Sequence, residues 1–334
     1  MLKYDKNKIK KILVLKNDKI GDMIVSSGFL REIRKAYPKA EITLIASEAN
    51  KNLIEKSGYY DKILFLNYSL TNYKEFKDYL KMALKLRREH FDLGIDLRGS
   101  IYNLFFLLFL AGVKLRAGMY NRKAWRIFLH DGIKKDRSPG NHCIFLRLRL
   151  MNEVLGIKTK NYWPSIVTTK EDELSISNTL KENSLKKGKY IVLIPDASYP
   201  EKQWPFEEWN KLIRYILKNY PDKKIVITGA DMEKLSWFKK RNKSIILLKT
   251  YLRAAYLLLK YSSLVIAQDG GPMHMAWASK AKVIAIIAAG RIPVHYFQPL
   301  GKNADTMASY VKKLKYEEVI PHVEKALGKS SRKS

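Results

Sequence analysis

The feature that most limits the fold is an alternation, repeated twice along the chain, of short apolar runs with longer segments of helical periodicity. In the first half the apolar runs are residues 11–15, 42–46, 63–66 and 93–96. In the second half they are residues 190–194, 224–228, 245–248, 264–267 and 283–287. Runs this short, separated by helical patterns, read as buried strands of parallel α/β sheets. Helices are expected over residues 73–89, 102–111, 144–155, 206–219, 232–240 and 253–260. A further helix after the first strand sets Met23, Leu30, Ile33 and Tyr37 on one face, and Pro38 closes it. A chain of 334 residues suits two domains. Residues 156–169 carry Pro164 and no periodicity, so the expected domains are 1–160 and 161–334. Such sheets bind ligands beyond the carboxyl ends of their strands, which makes the loops after the strands the places to search.

Composition narrows the classes. A single cysteine, Cys143, permits no internal disulfide and fits a reducing compartment. Residues 1–11 are charged and lack the apolar core of a signal peptide. The longest apolar run, residues 104–113, falls short of the roughly 20 residues that span a bilayer, and is expected to be a buried helix rather than an interfacial contact. The six histidines are scattered, and no Asp-x-Asp pair, Walker loop or Gly-x-Ser-x-Gly elbow occurs, so no metal or other cofactor is expected. Lys and Arg number 63 against 32 Asp and Glu, a net charge of +31 that attracts polyanions. Nucleic acid, an anionic membrane surface and a phosphorylated substrate all fit, as does a set of solvated helix faces. A nucleic-acid reader is disfavoured, because the basic residues do not interleave with aromatics as a stacking groove would.

Four loops could carry chemistry. The first strand ends in Lys16-Asn-Asp-Lys-Ile-Gly21-Asp22, where Gly21 allows a tight turn and Asp22 sits at a helix N-terminus. A plain N-cap and a base pointed into a cleft both account for that aspartate. The loop from Pro195 to Pro205 brings Ser198 and Lys202 near another helix N-terminus, a sensible phosphate site, although a solvated lysine is the ordinary alternative. Glu233 follows Gly229-Ala-Asp-Met and could bind ribose hydroxyls or simply favour its helix terminus. The segment Asp269-Gly270-Gly271-Pro272-Met273-His274 follows an apolar strand, and its paired glycines let backbone N–H groups approach a phosphate. His274 alone could be a capping or core histidine, but strand, acid, glycines, proline and histidine together are hard to read as packing only.

Taken in order, these loops resemble glycosyltransferase family 9, the ADP-heptose:lipopolysaccharide heptosyltransferases. The opening strand with Gly21-Asp22, Lys202-x-Trp204-Pro205, Asp269-Gly-Gly271-Pro-Met-His274 and Phe91-Asp-Leu-Gly-Ile-Asp-Leu-Arg98-Gly99 are similar to the family's signatures. The resemblance implies the GT-B fold, two Rossmann-like domains with parallel sheets facing a central cleft, acceptor in the first and nucleotide sugar in the second. It implies Asp22 as general base in an inverting, metal-independent single displacement. Donor contacts would come from Gly21, Ser198, Lys202, Glu233, Asp269, Gly270, Gly271, Met273 and His274. Basic choices for an anionic glycolipid acceptor, the lipopolysaccharide core, are Arg98, Arg122, His142 and Arg147. The expected partners are ADP-heptose, that acceptor and the cytoplasmic membrane surface, with the protein peripheral to the inner membrane and no nucleic acid involved. Another nucleotide-sugar donor, or epimerisation of one, is the alternative within the fold. The chain departs from the family pattern at Gly28, usually proline, which is expected to loosen the first helix. Asp196 for glycine, Gln203 for arginine and Gly270 for serine or threonine depart within the donor loops.

Overall fold

Strands apolar on both faces need cover on both sides, and two separate sheets meet that need in turn. The computed structural model describes residue 2 and residues 4–67, 71–197, 199–290 and 293–328. The chain divides into two units, Met1–Ser165 and Ile166–Ser334. In the first, β1 (Lys11–Lys16), β2 (Glu41–Ala46), β3 (Lys62–Phe65), β4 (Leu93–Asp96), β5 (Leu115–Tyr120) and β6 (Asp131–Lys134) form a sheet in the order β3-β2-β1-β4-β5-β6. In the second, β7 (Tyr190–Ile194), β8 (Lys224–Ile227), β9 (Ile246–Leu247), β10 (Leu264–Gln268), β11 (Val283–Ala288) and β12 (Ala304–Ser309) run β12-β11-β10-β7-β8-β9. Every pairing is parallel. Counted within its own unit, each sheet has the doubly wound order 3-2-1-4-5-6. The order reverses between β1 and β4 in the first unit and between β7 and β10 in the second, the positions at which sheets of this kind hold ligands beyond the carboxyl ends of their strands.

Each unit has a core of its own. Leu13, Leu15, Tyr79, Leu86, Phe91 and Leu107 pack in the first, and Ile191, Leu193, Trp204, Trp209, Phe238 and Ile266 in the second. The helix Ile20–Ala36 buries Met23, Leu30 and Ile33 and ends before Tyr37, as its periodicity predicts. The segment expected as a buried helix over 102–111 is a π-helix, Asn103–Leu110, that buries Leu104 and Phe106–Leu108 but leaves Phe109 48% exposed. Among the described residues no helix is long and apolar enough to cross a membrane.

Gly28 has a different role from the one its sequence suggests. The helix passes through it unbroken, and a Cβ there would lie 2.8 Å from the carbonyl oxygens of both Tyr162 and Trp163. The missing side chain lets residues 162–165 lie along the helix, where Ser165 donates its N–H to Ser27 Oγ and Arg31 reaches Ser165 Oγ. The glycine tightens this contact and does not loosen the helix.

Candidate active site

In the N-terminal unit the loop after β1 supplies Asp18 and Asp22, and the turn after β4 supplies Arg98. Both lie at the point where the strand order reverses. Lys16, the last residue of β1, is fully buried, and its Nζ donates to Asp18 Oδ2 at 2.5 Å. Arg98 Nε meets the other Asp18 oxygen at 2.8 Å. Asp22 lies in the first turn of Ile20–Ala36, whose N-cap is Lys19 with no side-chain cap, so Asp22 is not the cap. Its Oδ1 stands 4.0 Å from Lys16 Nζ and 3.9 Å from Arg147 Nη2, with about a third of the side chain exposed (34%). A carboxylate near two cations, yet open to solvent on one side, suits a group that must accept a proton from a ligand.

Beneath this layer Asp96 is wholly buried, accepting from Asn103 Nδ2 (3.0 Å) and the N–H groups of Arg98 (3.2 Å) and Gly99 (2.6 Å). Burial pushes its carboxyl pKa up, against the pull of those donors. Gly99 holds φ +73°, a conformation that favours glycine, and a Cβ there would lie 3.1 Å from Lys135 Cε. Lys135, one residue past β6, is pushed down to about 8 by burial first and by the charges of Lys16 and Arg147 next. The structure thus gathers Lys16, Asp18, Asp22, Arg98, Lys135 and Arg147. Lys16, Asp18 and Lys135 escape sequence reasoning. The first two precede the Gly-Asp turn, and nothing marks Lys135 among so many lysines.

The remaining acceptor candidates are His142 and Arg122. His142 is buried and caps the helix Cys143–Arg149, its Nδ1 accepting the N–H of Ile144 at 3.1 Å. Arg122 is exposed, its guanidinium 5.9 Å from the Trp125 ring centre.

In the C-terminal unit the loops after β7 and β10 are stitched together. Lys202 Nζ pairs with Asp269 Oδ2 at 2.5 Å, and Gln268 Nε2 donates to the Lys202 carbonyl. Gln203 holds the same loops: its Nε2 donates to the Pro195 carbonyl and Gln268 Oε1, and its Oε1 accepts from Ala197 N–H and Lys234 Nζ. Trp204 is buried against Trp209, its Nε1 donating to the Leu314 carbonyl at 2.9 Å. Pro205 immediately precedes the helix Phe206–Asn219. Asp196 accepts the Ala230 N–H at 2.6 Å, so its charge serves the turn after β8. Glu233 is exposed in the first turn of Met232–Arg241, whose cap is Asp231.

Gly271 opens the helix Gly271–Ala278, which has no acid in its first turn, whereas Phe206–Asn219 carries Glu207 and Glu208 there. The positive helix end beside Asp269 is therefore the better phosphate platform. Gly270 is extended, at φ 172°, and a Cβ would meet nothing closer than 3.7 Å, so the backbone conformation there does not demand glycine. Met273 is fully buried, and His274 is 6% exposed with its ring centre 6.3 Å from those of Trp277 and Phe297. Gly21 lies in the other unit, in the first turn of Ile20–Ala36. Ser198 lies outside the described residues. Among the described residues no three His, Cys, Asp or Glu side chains gather as a metal cage.

A family model described as glycosyltransferase family 9 (heptosyltransferase) matches residues 79–324. The chain is 24% identical over 295 residues to lipopolysaccharide heptosyltransferase 1 of Campylobacter coli, covering 84% of each. Its fold is similar to that of a glycosyl transferase family 9 protein from Veillonella parvula, with a TM-score of 0.80 at 19% identity over 95% of this chain and 97% of that one. The structure of E. coli ADP-heptose lps heptosyltransferase II gives 0.75 at 19% identity, over 95% and 98%. The fold class is GT-B.

Proposed function

The chain belongs to glycosyltransferase family 9, and we propose that it moves heptose from ADP-heptose to the inner core of lipopolysaccharide, with inversion and without a metal. The observation that carries this reading is the matched placement of the two loop sets, each where its own sheet reverses strand order. Asp22 takes the proton from an acceptor hydroxyl, and the oxygen attacks the anomeric carbon. The bond from that carbon to the diphosphate breaks, and its electron pair leaves with ADP. Lys202, His274 and the N–H groups opening Gly271–Ala278 meet the charge that develops on the leaving diphosphate. Asp269 keeps the Lys202 ammonium in place, and Glu233 is offered to the ribose. Arg98, Arg147 and Lys135 give the acceptor crevice the positive character that phosphate or carboxylate groups on a core oligosaccharide call for. The acceptor is lipid-linked, which puts the reaction at the cytoplasmic face of the membrane, with the protein peripheral to it.

The test is Asp22→Asn, which preserves shape and removes only the proton acceptor. Transfer from ADP-heptose, read as a mass shift of the acceptor, is expected to fall by about a hundredfold or more, with ADP affinity unchanged. Near-normal turnover would remove Asp22 from the mechanism. A panel of other nucleotide sugars tests the donor separately, and a better substrate among them would replace ADP-heptose in the reading.

A further inference from the structure

Between Asp96 and Asp131 the chain carries no Asp or Glu, and six Lys or Arg. The same segment builds an aromatic cluster, with Phe106 buried beneath it, Phe105 and Phe128 partly buried and Phe109 exposed. Phe105 packs on Phe109 and Phe128, with ring centres 6.2 and 5.5 Å away, and Phe109 meets Phe128 at 5.5 Å. Phe76, 41% exposed on the helix Tyr73–Arg87, extends the series through Phe106 at 5.6 Å. Beside it the 3-10 helix Lys123–Phe128 buries none of its residues and leaves Ile127 74% exposed. Cations border the rings: the Arg116 guanidinium lies 5.5 Å from the centre of Phe109, and Lys123 and Arg126 are exposed on the 3-10 helix. Ile127 adjoins Phe128 in sequence, and Phe128 packs on the exposed Phe109, so apolar surface gathers on one face, as it does at interaction sites and not where single hydrophobic residues are scattered.

We propose that this face, built by Asn103–Leu110 and Lys123–Phe128, docks the N-terminal unit onto an anionic lipid surface. Ile127 and Phe109 enter the acyl boundary, and Lys123 and Arg126 meet the headgroup charge. The occupant is chosen on charge: an anionic bilayer complements an aromatic patch bordered by Arg116, Lys123 and Arg126, whose neighbouring acid, Asp131, stands 4.0 Å from Arg126, and bulky rings with cationic tips suit the headgroup layer. The proposal deepens the reading of a lipid-linked acceptor and rests on it, but its test needs neither donor nor acceptor.

Sedimentation of the full-length protein with phosphatidylcholine vesicles containing about a third phosphatidylglycerol supplies the readout, and burial of one large aliphatic side chain sets the scale at about tenfold. Ile127→Asp and the pair Lys123→Glu with Arg126→Glu are each expected to weaken vesicle binding by about tenfold or more, with melting temperature unchanged. Transfer to a water-soluble core oligosaccharide should be unaffected. The charge-matched pair Lys239→Glu with Lys240→Glu, in the C-terminal unit, should bind vesicles nearly as the parent does. Equal losses from both pairs would show that bulk positive charge does the binding and would overturn the proposal. So would an Ile127→Asp variant that binds vesicles normally, or one that changes only the oligomeric state. Vesicle binding that responds to these variants as stated, in a parent protein that transfers no sugar, would count against the transferase reading and leave this one standing.

Discussion

Lys135 shows how one half-buried charge can tie acceptor binding to pH. Its folded pKa, about 8, lies below its ordinary value of 10.5, so the folded protein holds this proton less tightly than the unfolded chain does. The folded state is therefore penalised below about pH 8, where a desolvated ammonium must be kept charged. The penalty shrinks as pH rises from there to the ordinary lysine value, where the unfolded chain loses the proton too. Lys135→Met should accordingly leave stability at pH 7 unchanged or raised, as read by thermal unfolding. Function should move the other way, since an anionic acceptor can pair with the ammonium only while it is protonated. The acceptor KM of the parent is expected to climb roughly tenfold as pH passes from 7 to 9, as a charged hydrogen bond is lost. In Lys135→Met it should be high and flat, in Lys135→Arg low and flat, and the donor KM should not respond. A parent profile without that climb would detach Lys135 from the acceptor. Asp22 is conspicuous in the sequence because glycine precedes it at the end of an apolar run. Lys135 is invisible there, because its perturbation comes first from burial and then from the charges of Lys16 and Arg147, against the opposing pull of Asp18 and Asp96, and only Arg147 is near it in sequence.

The helix Ile20–Ala36 presents Asp22, and what fixes it is the chain lying against its Gly28 side. Gly28→Ala gains helix propensity of up to about 1 kcal/mol but drives a methyl against two backbone carbonyls. Overpacking of that kind costs about 1–3 kcal/mol, so a net loss of stability is expected, measured by denaturant unfolding. A more stable variant would show that residues 162–163 can retreat freely. The contact is illegible in sequence because it depends on a segment some 130 residues away, whereas the helix itself is plain from its periodicity. The same contrast holds for strands. β1, β4, β7 and β10 are buried on both faces and read as continuous apolar runs. β5, β6 and β12 escape such reading, and each has a physical reason. β5 contains Arg116 and Gly118, the latter with a Cβ position 3.1 Å from the Asp96 backbone oxygen. β6 and β12 are edge strands, with one buried residue in the first and none in the second. The helix Lys170–Glu182 is also missed, although Thr169 and Asp172 form a capping box at its start.

Across the whole molecule, the two units divide the proposed chemistry as they divide the chain. Lys202, Glu233, Asp269, Gly271 and His274 all belong to Ile166–Ser334, while Asp22, Arg98, Lys135 and Arg147 belong to Met1–Ser165. The pairs that fix the donor loops, Lys202 with Asp269 and Gln203 with Gln268, are closed within the C-terminal unit. Among the described residues, the buried cluster from Ile191 to Val323 is built from this unit's own side chains. A segment of residues 166–334 should therefore fold cooperatively and bind ADP within about tenfold of the full chain's affinity, a difference of some 1.4 kcal/mol, by calorimetry. It should transfer no sugar, since it lacks the base. Lys202→Ala within this segment should weaken ADP by about tenfold or more, because the lysine's charged hydrogen bonds to phosphate are lost. A segment that melts cooperatively yet fails to bind ADP would mean that the nucleotide depends on groups of the N-terminal unit. The loops after β7 and β10 would then be a structural tie and not a donor site.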